Sequence, residues 1–214
     1  MGTKEKILQT ALRLFNEEGF RTITVEKICK ELKISKGNFN YHFKKKERLV
    51  LYLYESMVEE IQQLIAAIAF EDARVHYFLE THKALFLIQK KYRFFYLNFF
   101  EIIKHYPEVK ALYLERYRQE KAFALASLQR YMEKGVIRKD VRKEELDRII
   151  EVGYVLNNSW AVDAEIHFEG DEQEKLIHYL ALCCGRLEPY LTPQAREEYL
   201  AYFHQLRKGE IYES

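Results

Sequence analysis

Four residues in the short stretch Lys36 to His42 carry side chains suited to hydrogen-bonding a phosphate oxygen or the edge of a nucleic-acid base: Lys36, Asn38, Asn40 and Tyr41. Gly37, among them, has no side chain. A glycine inside a helix costs about 1 kcal/mol against alanine, and close approach of another backbone would explain that cost. Lys44, Lys45 and Lys46 follow, at the start of the next helical stretch. Cations at a helix N-terminus oppose its dipole. A phosphate at that end reverses the balance, because free N–H groups and lysines attract it together.

Other constellations are poorer. Glu101 with His105 and Glu174 with His178 each place a carboxylate and an imidazole four residues apart. The Glu-x-x-His pairs and extra glutamates of helical di-iron proteins are missing. So are a phosphate-binding loop, a Gly-x-Ser-x-Gly turn and a His-Glu-x-x-His pair. The adjacent Cys183 and Cys184 could form a redox or metal pair. With Cys29 they make three cysteines, not a disulfide framework, and they read as small buried hydrophobes. No catalytic residue, metal or cofactor is expected.

The elements that must position the polar stretch are helical. Hydrophobic residues make up 48% of the 214, charged residues 31%, and only three prolines and eight glycines interrupt them. No apolar run reaches the roughly 18 residues of a membrane span, and the N-terminus lacks a signal-peptide pattern. Together with the cysteine usage, this makes the cytoplasm the expected location. Residues 1–50 hold 12 Lys/Arg against 6 Asp/Glu, and the rest holds 22 against 27. A basic head on an acidic body suits a polyanionic partner.

Ile7, Leu8, Ala11, Leu12, Leu14 and Phe15 recur at helical spacing in a first helix closed by Gly19. Thr24 offers an N-cap for a helix over 25–32, with Ile28, Cys29 and Leu32 inside. Ser35 caps a third helix, from Lys36 to about Tyr41. A turn of three or four residues joins these two, the arrangement of a helix-turn-helix whose last helix enters the major groove of DNA. Phe39 and Phe43 plug that helix into a centre made with Phe15, Ile28 and Leu32. A fourth helix runs from Lys46 to about Ala69, reaching Ile68. Others are expected near 74–90, 93–105, 108–134, 143–162, 172–187 and 194–206. The fold class expected is all-α, with about nine helices, no strand and no repeat.

The stretch "ILQTALRLFNEEGFRTITVEKICKELKISKGNFNYHFKKKERL" resembles the TetR family of bacterial transcriptional regulators. The resemblance rests on the Gly19-Phe20 corner, on Thr24-Val25 with Ile28, and above all on Ser35-Lys36-Gly37 followed by Tyr41-His42-Phe43 and Lys46-Glu47. It covers about a fifth of the chain. It implies a homodimer that binds double-stranded DNA. Residues matching Thr24, Lys36, Gly37, Tyr41, His42 and Lys46 typically touch phosphates in that family, and those matching Asn38 and Asn40 lie where bases are read. Cys29 replaces the usual alanine. Asn40 stands where tyrosine is more frequent, so the target sequence cannot be borrowed.

The resemblance divides the chain into a DNA-binding domain, 1–46, and an effector-binding and dimerisation domain, 47–214. In the latter, Val152 to Leu156 with Trp160 to Val162, and Leu176 to Leu187, are apolar around most of the helix. A helix lacking a polar face is covered on both sides, here by its own core and a second subunit. Gly153, Leu156, Leu180 and Cys184 are the expected interface residues. The middle of the chain is rich in rings, which serve as core or as walls of a ligand cavity with a few polar groups. His82, Phe86, Phe99, Tyr117, Asn157 and Trp160 are the candidates for holding a small hydrophobic or aromatic effector. The function expected is a repressor released from a palindromic operator by such a ligand. The alternative is a DNA- or protein-binding adaptor of the same fold with no effector.

Overall fold

The computed structural model describes residues 2–67 and 74–209. Among these are eleven α-helices and no strand: α1 (Thr3–Glu18), α2 (Val25–Leu32), α3 (Lys36–His42), α4 (Lys46–Ala67), α5 (Val75–Lys91), α6 (Arg93–Leu97), α7 (Phe99–His105), α8 (Pro107–Glu133), α9 (Lys143–His167), α10 (Glu172–Gly185) and α11 (Pro193–Lys208). A single 3₁₀ turn, Glu188–Tyr190, precedes α11. The expected end of α4 at Ile68 and Ala69 lies outside the described residues. The all-α class holds, with two more helices than expected.

Part of the excess has a local cause. One helix was expected over 93–105, and it breaks at Asn98 into α6 and α7. The Asn98 side-chain Nδ2 donates to the Phe94 carbonyl at 2.8 Å. Such side-chain bonds compete with the helical backbone, which is why asparagine favours caps and turns. Elsewhere the caps act as the residue types dictate. Thr24 Oγ1 accepts from the Lys27 amide at 3.2 Å, and Ser35 Oγ from the Asn38 amide at 3.1 Å. Thr192 Oγ1 donates to the Gly135 carbonyl at 2.8 Å. Beside it, an isolated antiparallel bridge pairs Ile137 with Leu191.

The chain forms two compact units: Met1–Gln62 with Ile88–Leu114, and Gln63–Leu87 with Glu115–Ser214. In the first, α1, α2 and α3 surround Phe15, Ile28, Phe39 and Phe43, each at most 1% exposed. Aromatic rings extend this centre. Phe15 lies 5.2 Å from both Phe20 and Phe94, and Tyr54 stacks on Phe95 at 4.9 Å. In the second unit α10 packs against α9 and α11. Its core gathers Leu79, Ile137, Leu180, Cys184 and Leu206.

A polar clamp ties α1 to the corner between α5 and α6. Asn16 Nδ2 donates to the Lys91 carbonyl at 2.8 Å, and its Oδ1 accepts the Phe94 amide at 3.0 Å. Arg93 Nη2 donates to the Asn16 carbonyl at 2.8 Å. Removing one partner of a partly covered hydrogen bond leaves the other to bear part of its desolvation. Asn16→Ala is therefore expected to cost about 1–2 kcal/mol, each kcal/mol lowering Tm by roughly 2–4 °C in a chain of this size. Calorimetry showing an unchanged Tm would mean that the clamp contributes nothing.

Candidate functional site

The α3 helix is divided sharply into two sides. Phe39 and Phe43 are fully buried and lie 5.8 Å apart, ring to ring. Ser35, Lys36, Gly37, Asn38 and Asn40 are exposed, and Tyr41 is 85% exposed, unusual for so large a ring. His42 is partly covered and meets the Tyr41 ring edge-on at 5.0 Å. Thr24 stands exposed at the start of α2. A methyl group added at Gly37 would meet only Ser35 Oγ, at an ordinary 3.7 Å. The protein's own packing therefore gives no reason for a glycine there. Lys36 pairs with Glu26 at 2.7 Å, both side chains being nearly two-thirds exposed. Exposed pairs are worth little, so Lys36 can change partner at small cost.

Lys46 is placed differently from its neighbours. Lys44 and Lys45 are exposed. Lys46 Nζ turns inward, donating to the carbonyls of Phe20 at 2.6 Å and Ile23 at 2.8 Å. It also sits over the rings of Phe20, at 4.2 Å, and Phe15, at 5.2 Å. Burial pushes its pKa down. The lysine thus staples the loop between α1 and α2 to the start of α4 and keeps one N–H unspent. The run of three lysines in the sequence gives no hint of this difference.

The effector candidates fall in both units. Phe99 belongs to the first, packed against Phe95 at 5.7 Å and Tyr113 at 5.1 Å. His82, Phe86, Tyr117, Asn157 and Trp160 belong to the second. There Phe86 faces Trp160 at 4.2 Å, and Tyr117 meets Tyr154 at 4.6 Å. Asn157 is partly exposed. His82 Nδ1 bonds the Phe78 carbonyl at 2.9 Å, and its Nε2 lies 3.1 Å from Arg186 Nη2. An arginine has only N–H to give, so Nε2 accepts and Nδ1 carries the proton. Nothing in the sequence pointed to Arg186.

Among the expected interface residues, Leu180 and Cys184 are fully buried within the protomer. Burial raises the Cys184 thiol pKa far above its usual value, which suits an inert core thiol. Gly153 is covered by its own chain. A Cβ there would come within 2.8 Å of the Arg186 guanidinium. Leu156 stays partly exposed. The apolar side chains that these two helices leave open are Val152, Val155, Val162 and Ile166 on α9 and Leu182 on α10. No cluster among the described residues could hold a metal, and no described helix is long and apolar enough to cross a membrane.

A capped three-helix head with an exposed polar face on its third helix defines a helix-turn-helix DNA-binding protein. A family model described as bacterial transcriptional repressor, TetR, matches residues 56–199, and one for bacterial regulatory proteins of the tetR family matches 7–53. The chain belongs to the TetR family of transcriptional regulators, and is not an enzyme. The regulator UidR of Escherichia coli K12 is 26% identical over 172 residues, 78% of this chain and 83% of that one. Two Bacillus subtilis relatives match over less. YerO is 50% identical over 48 residues and YuxN 44% over 66, so the matches span only 17% and 23% of their lengths. A TetR-family regulator from Marinobacter aquaeolei VT8 shares the fold at TM-score 0.85 and 22% identity, over 96% of this chain and 99% of that one. A transcriptional regulator from Saccharomonospora viridis, solved in complex with choline, shares it at 0.67 and 19%, over 86% and 95%.

His82 makes a pH prediction. Burial and the neighbouring Arg186 lower its pKa from 6.5 to about 3. The unfolded chain then takes up a proton below about pH 6.5 that the folded chain refuses until about pH 3. This contribution to stability is complete above the upper value. It falls as pH drops through that window, by at most about 1.4 kcal/mol per unit. His82→Gln is expected to flatten the acid limb of a Tm–pH curve relative to wild type. Parallel acid limbs would mean that His82 is not held neutral.

Proposed function

We propose that this protein is a homodimeric repressor of the bacterial cytoplasm. It holds a roughly palindromic operator and releases it when a small hydrophobic or aromatic ligand binds its body. The observation that carries the DNA reading is α3: two buried phenylalanines on one side and an exposed row of Lys36, Gly37, Asn38, Asn40 and Tyr41 on the other. In this reading residues 1–46 dock on DNA, and 47–214 sense the ligand and hold the dimer. Thr24, Ser35, Lys36, Gly37, Tyr41 and His42 meet phosphates, and Asn38 and Asn40 face bases. Lys46 fixes the corner that carries Thr24 and offers its remaining N–H to a phosphate. The structural neighbour with choline bound supports a body that takes a small molecule.

Phosphate contacts release counterions, so each one steepens the salt dependence of binding by about one in log–log slope. Lys36→Ala is expected to weaken binding to every duplex and flatten the slope by about one. Asn40→Ala is expected to change the ranking among sequences instead. A genomic binding screen with no enriched site, together with a Lys36→Ala variant that binds like wild type, would rule out the DNA reading.

The dimer rests on α9. Val152, Val155, Ser159, Val162 and Ile166 are all exposed and recur at alternating steps of three and four, the spacing of a helix-packing seam. Val155 and Ile166 are each 67% exposed, whereas Leu180 is 1% exposed. Val155→Arg combined with Ile166→Arg is therefore expected to give folded monomers in sedimentation. Leu180→Asp is expected to unfold the protein. A double variant that remains a dimer would place the interface elsewhere.

A further inference from the structure

Arg186 stands out among the charged residues of the second unit. Its Nε donates to the Ile149 carbonyl at 3.0 Å, and its Nη2 to His82 Nε2 at 3.1 Å. Its Nη1 is buried and has no hydrogen-bond partner. No carboxylate pairs with it among the described residues, and the nearby titratable groups that act on it are the thiols of Cys183 and Cys184. The side chain stays charged even when burial disfavours it. Of its five N–H groups, three are unspent, on two adjacent nitrogens. Buried charges are normally paired, and buried polar atoms are normally bonded. A cation held this way has a place prepared for an anion that the described residues do not supply.

The surroundings give that anion a shape. Gly153 opens the space in which the guanidinium lies, since a Cβ there would stand 2.7 Å from Nε. Leu156, Asn157 and Trp160 follow Gly153 along the same face of α9 at helical spacing. Trp160 lies two turns on, about 10 Å along the axis. Opposite, α5 presents Phe78, His82 and Phe86 at steps of four. Phe78 covers the His82 ring at 4.1 Å, and Phe86 covers Trp160 at 4.2 Å. One end of this face is cationic, and the rest is apolar apart from Asn157.

We propose that Arg186, oriented by His82, is the anchor for the carboxylate of an amphipathic organic acid whose apolar body runs along α9 toward Phe86 and Trp160. A planar carboxylate takes two parallel N–H bonds from a guanidinium. A monoanion matches the single charge, because His82 is neutral. A phosphate dianion would bring a second charge with no partner into an apolar site, at a higher desolvation cost. His82 acts as a positioning residue: its acceptor nitrogen fixes the plane of the fork. Because Nη1 is closed off from solvent, a ligand reaching it has to part the side chains around it. That gives binding a means of favouring one conformation over another.

The inference rests on the ligand-sensing reading above and deepens it. The test titrates the full-length protein with octanoate, decanoate and phenylbutyrate, and with the corresponding primary alcohols, following the fluorescence of Trp160. Each acid is expected to bind at least about tenfold more tightly than its alcohol, the worth of a charge-assisted pair of bonds. Arg186→Gln, checked for folding by circular dichroism, is expected to remove that preference. Equal binding of acids and alcohols by wild type would overturn the proposal, and that comparison decides the matter even where the variant fails to fold. Acid binding that survives in folded Arg186→Gln would overturn it too. Operator affinity with and without ligand separates the two readings. Alcohols that release DNA while acids do not bind leave the sensor standing without the anchor. Acids that bind through Arg186 and leave DNA affinity unchanged leave the anchor standing without the switch, since coupling between sites is reciprocal.

Discussion

The burial of Phe39 and Phe43 is the constraint on which the rest of the head depends. The α3 helix has seven residues, far too few to be stable alone, since isolated helices shorter than about 12–15 residues are marginal in water. Two fully buried rings on one side therefore hold the helix in place and set the angle of the other side. Each buried aromatic is worth several kcal/mol of packing by the usual cost of its truncation, about 3–5 kcal/mol. The exposed face is then free of packing demands. A solvent-exposed Tyr41 and a glycine that no neighbour demands are what such a free choice permits.

The surroundings of that helix are held by polar groups as much as by rings. Lys46 ties two loop carbonyls and two aromatic faces together with one ammonium. Asn16 satisfies an amide and a carbonyl on the far side of α1. Both solve the same problem. Loops and helix corners leave backbone groups that must find partners when covered, and a single multivalent side chain does so at a fixed geometry. The corners on either side of α1 are thereby each tied down by a side chain.

The second unit turns the guanidinium of Arg186 inward, with its Nη1 covered and without a hydrogen-bond partner. Replacing buried ionic groups with hydrophobic ones is often neutral or stabilising. Arg186 lies in the space that Gly153 opens and meets the acceptor nitrogen of His82, so packing alone gives no reason for the charge. In the proposed sensing role, a ligand that brings the opposite charge would gain binding free energy that can shift a conformational balance. The same unit leaves a seam of valine and isoleucine on α9 open to water. These two features, one internal and one external, are where the body departs from simple close packing.

Local chemistry is what the sequence determined by itself. The caps at Thr24 and Ser35, the helical periods, the two-sided character of α3 and the family of the head all depend on residues a few positions apart. Their physics is complete within one or two helical turns. Contacts between distant segments were decided only in the tertiary structure. One lysine of three turned inward because the carbonyls of Phe20 and Ile23 lay within its reach. The α6–α7 break falls at Asn98, whose side chain and backbone N–H both donate to the Phe94 carbonyl. Leu180 and Cys184, as apolar as their neighbours, went to the protomer core, while Val155 and Ile166 faced outward. Hydropathy cannot make that distinction, because it records how apolar a side chain is and not which neighbour covers it. Arg186 was invisible for the same reason: an arginine in water and one turned toward His82 and the Ile149 carbonyl are the same letter until the chain folds around it.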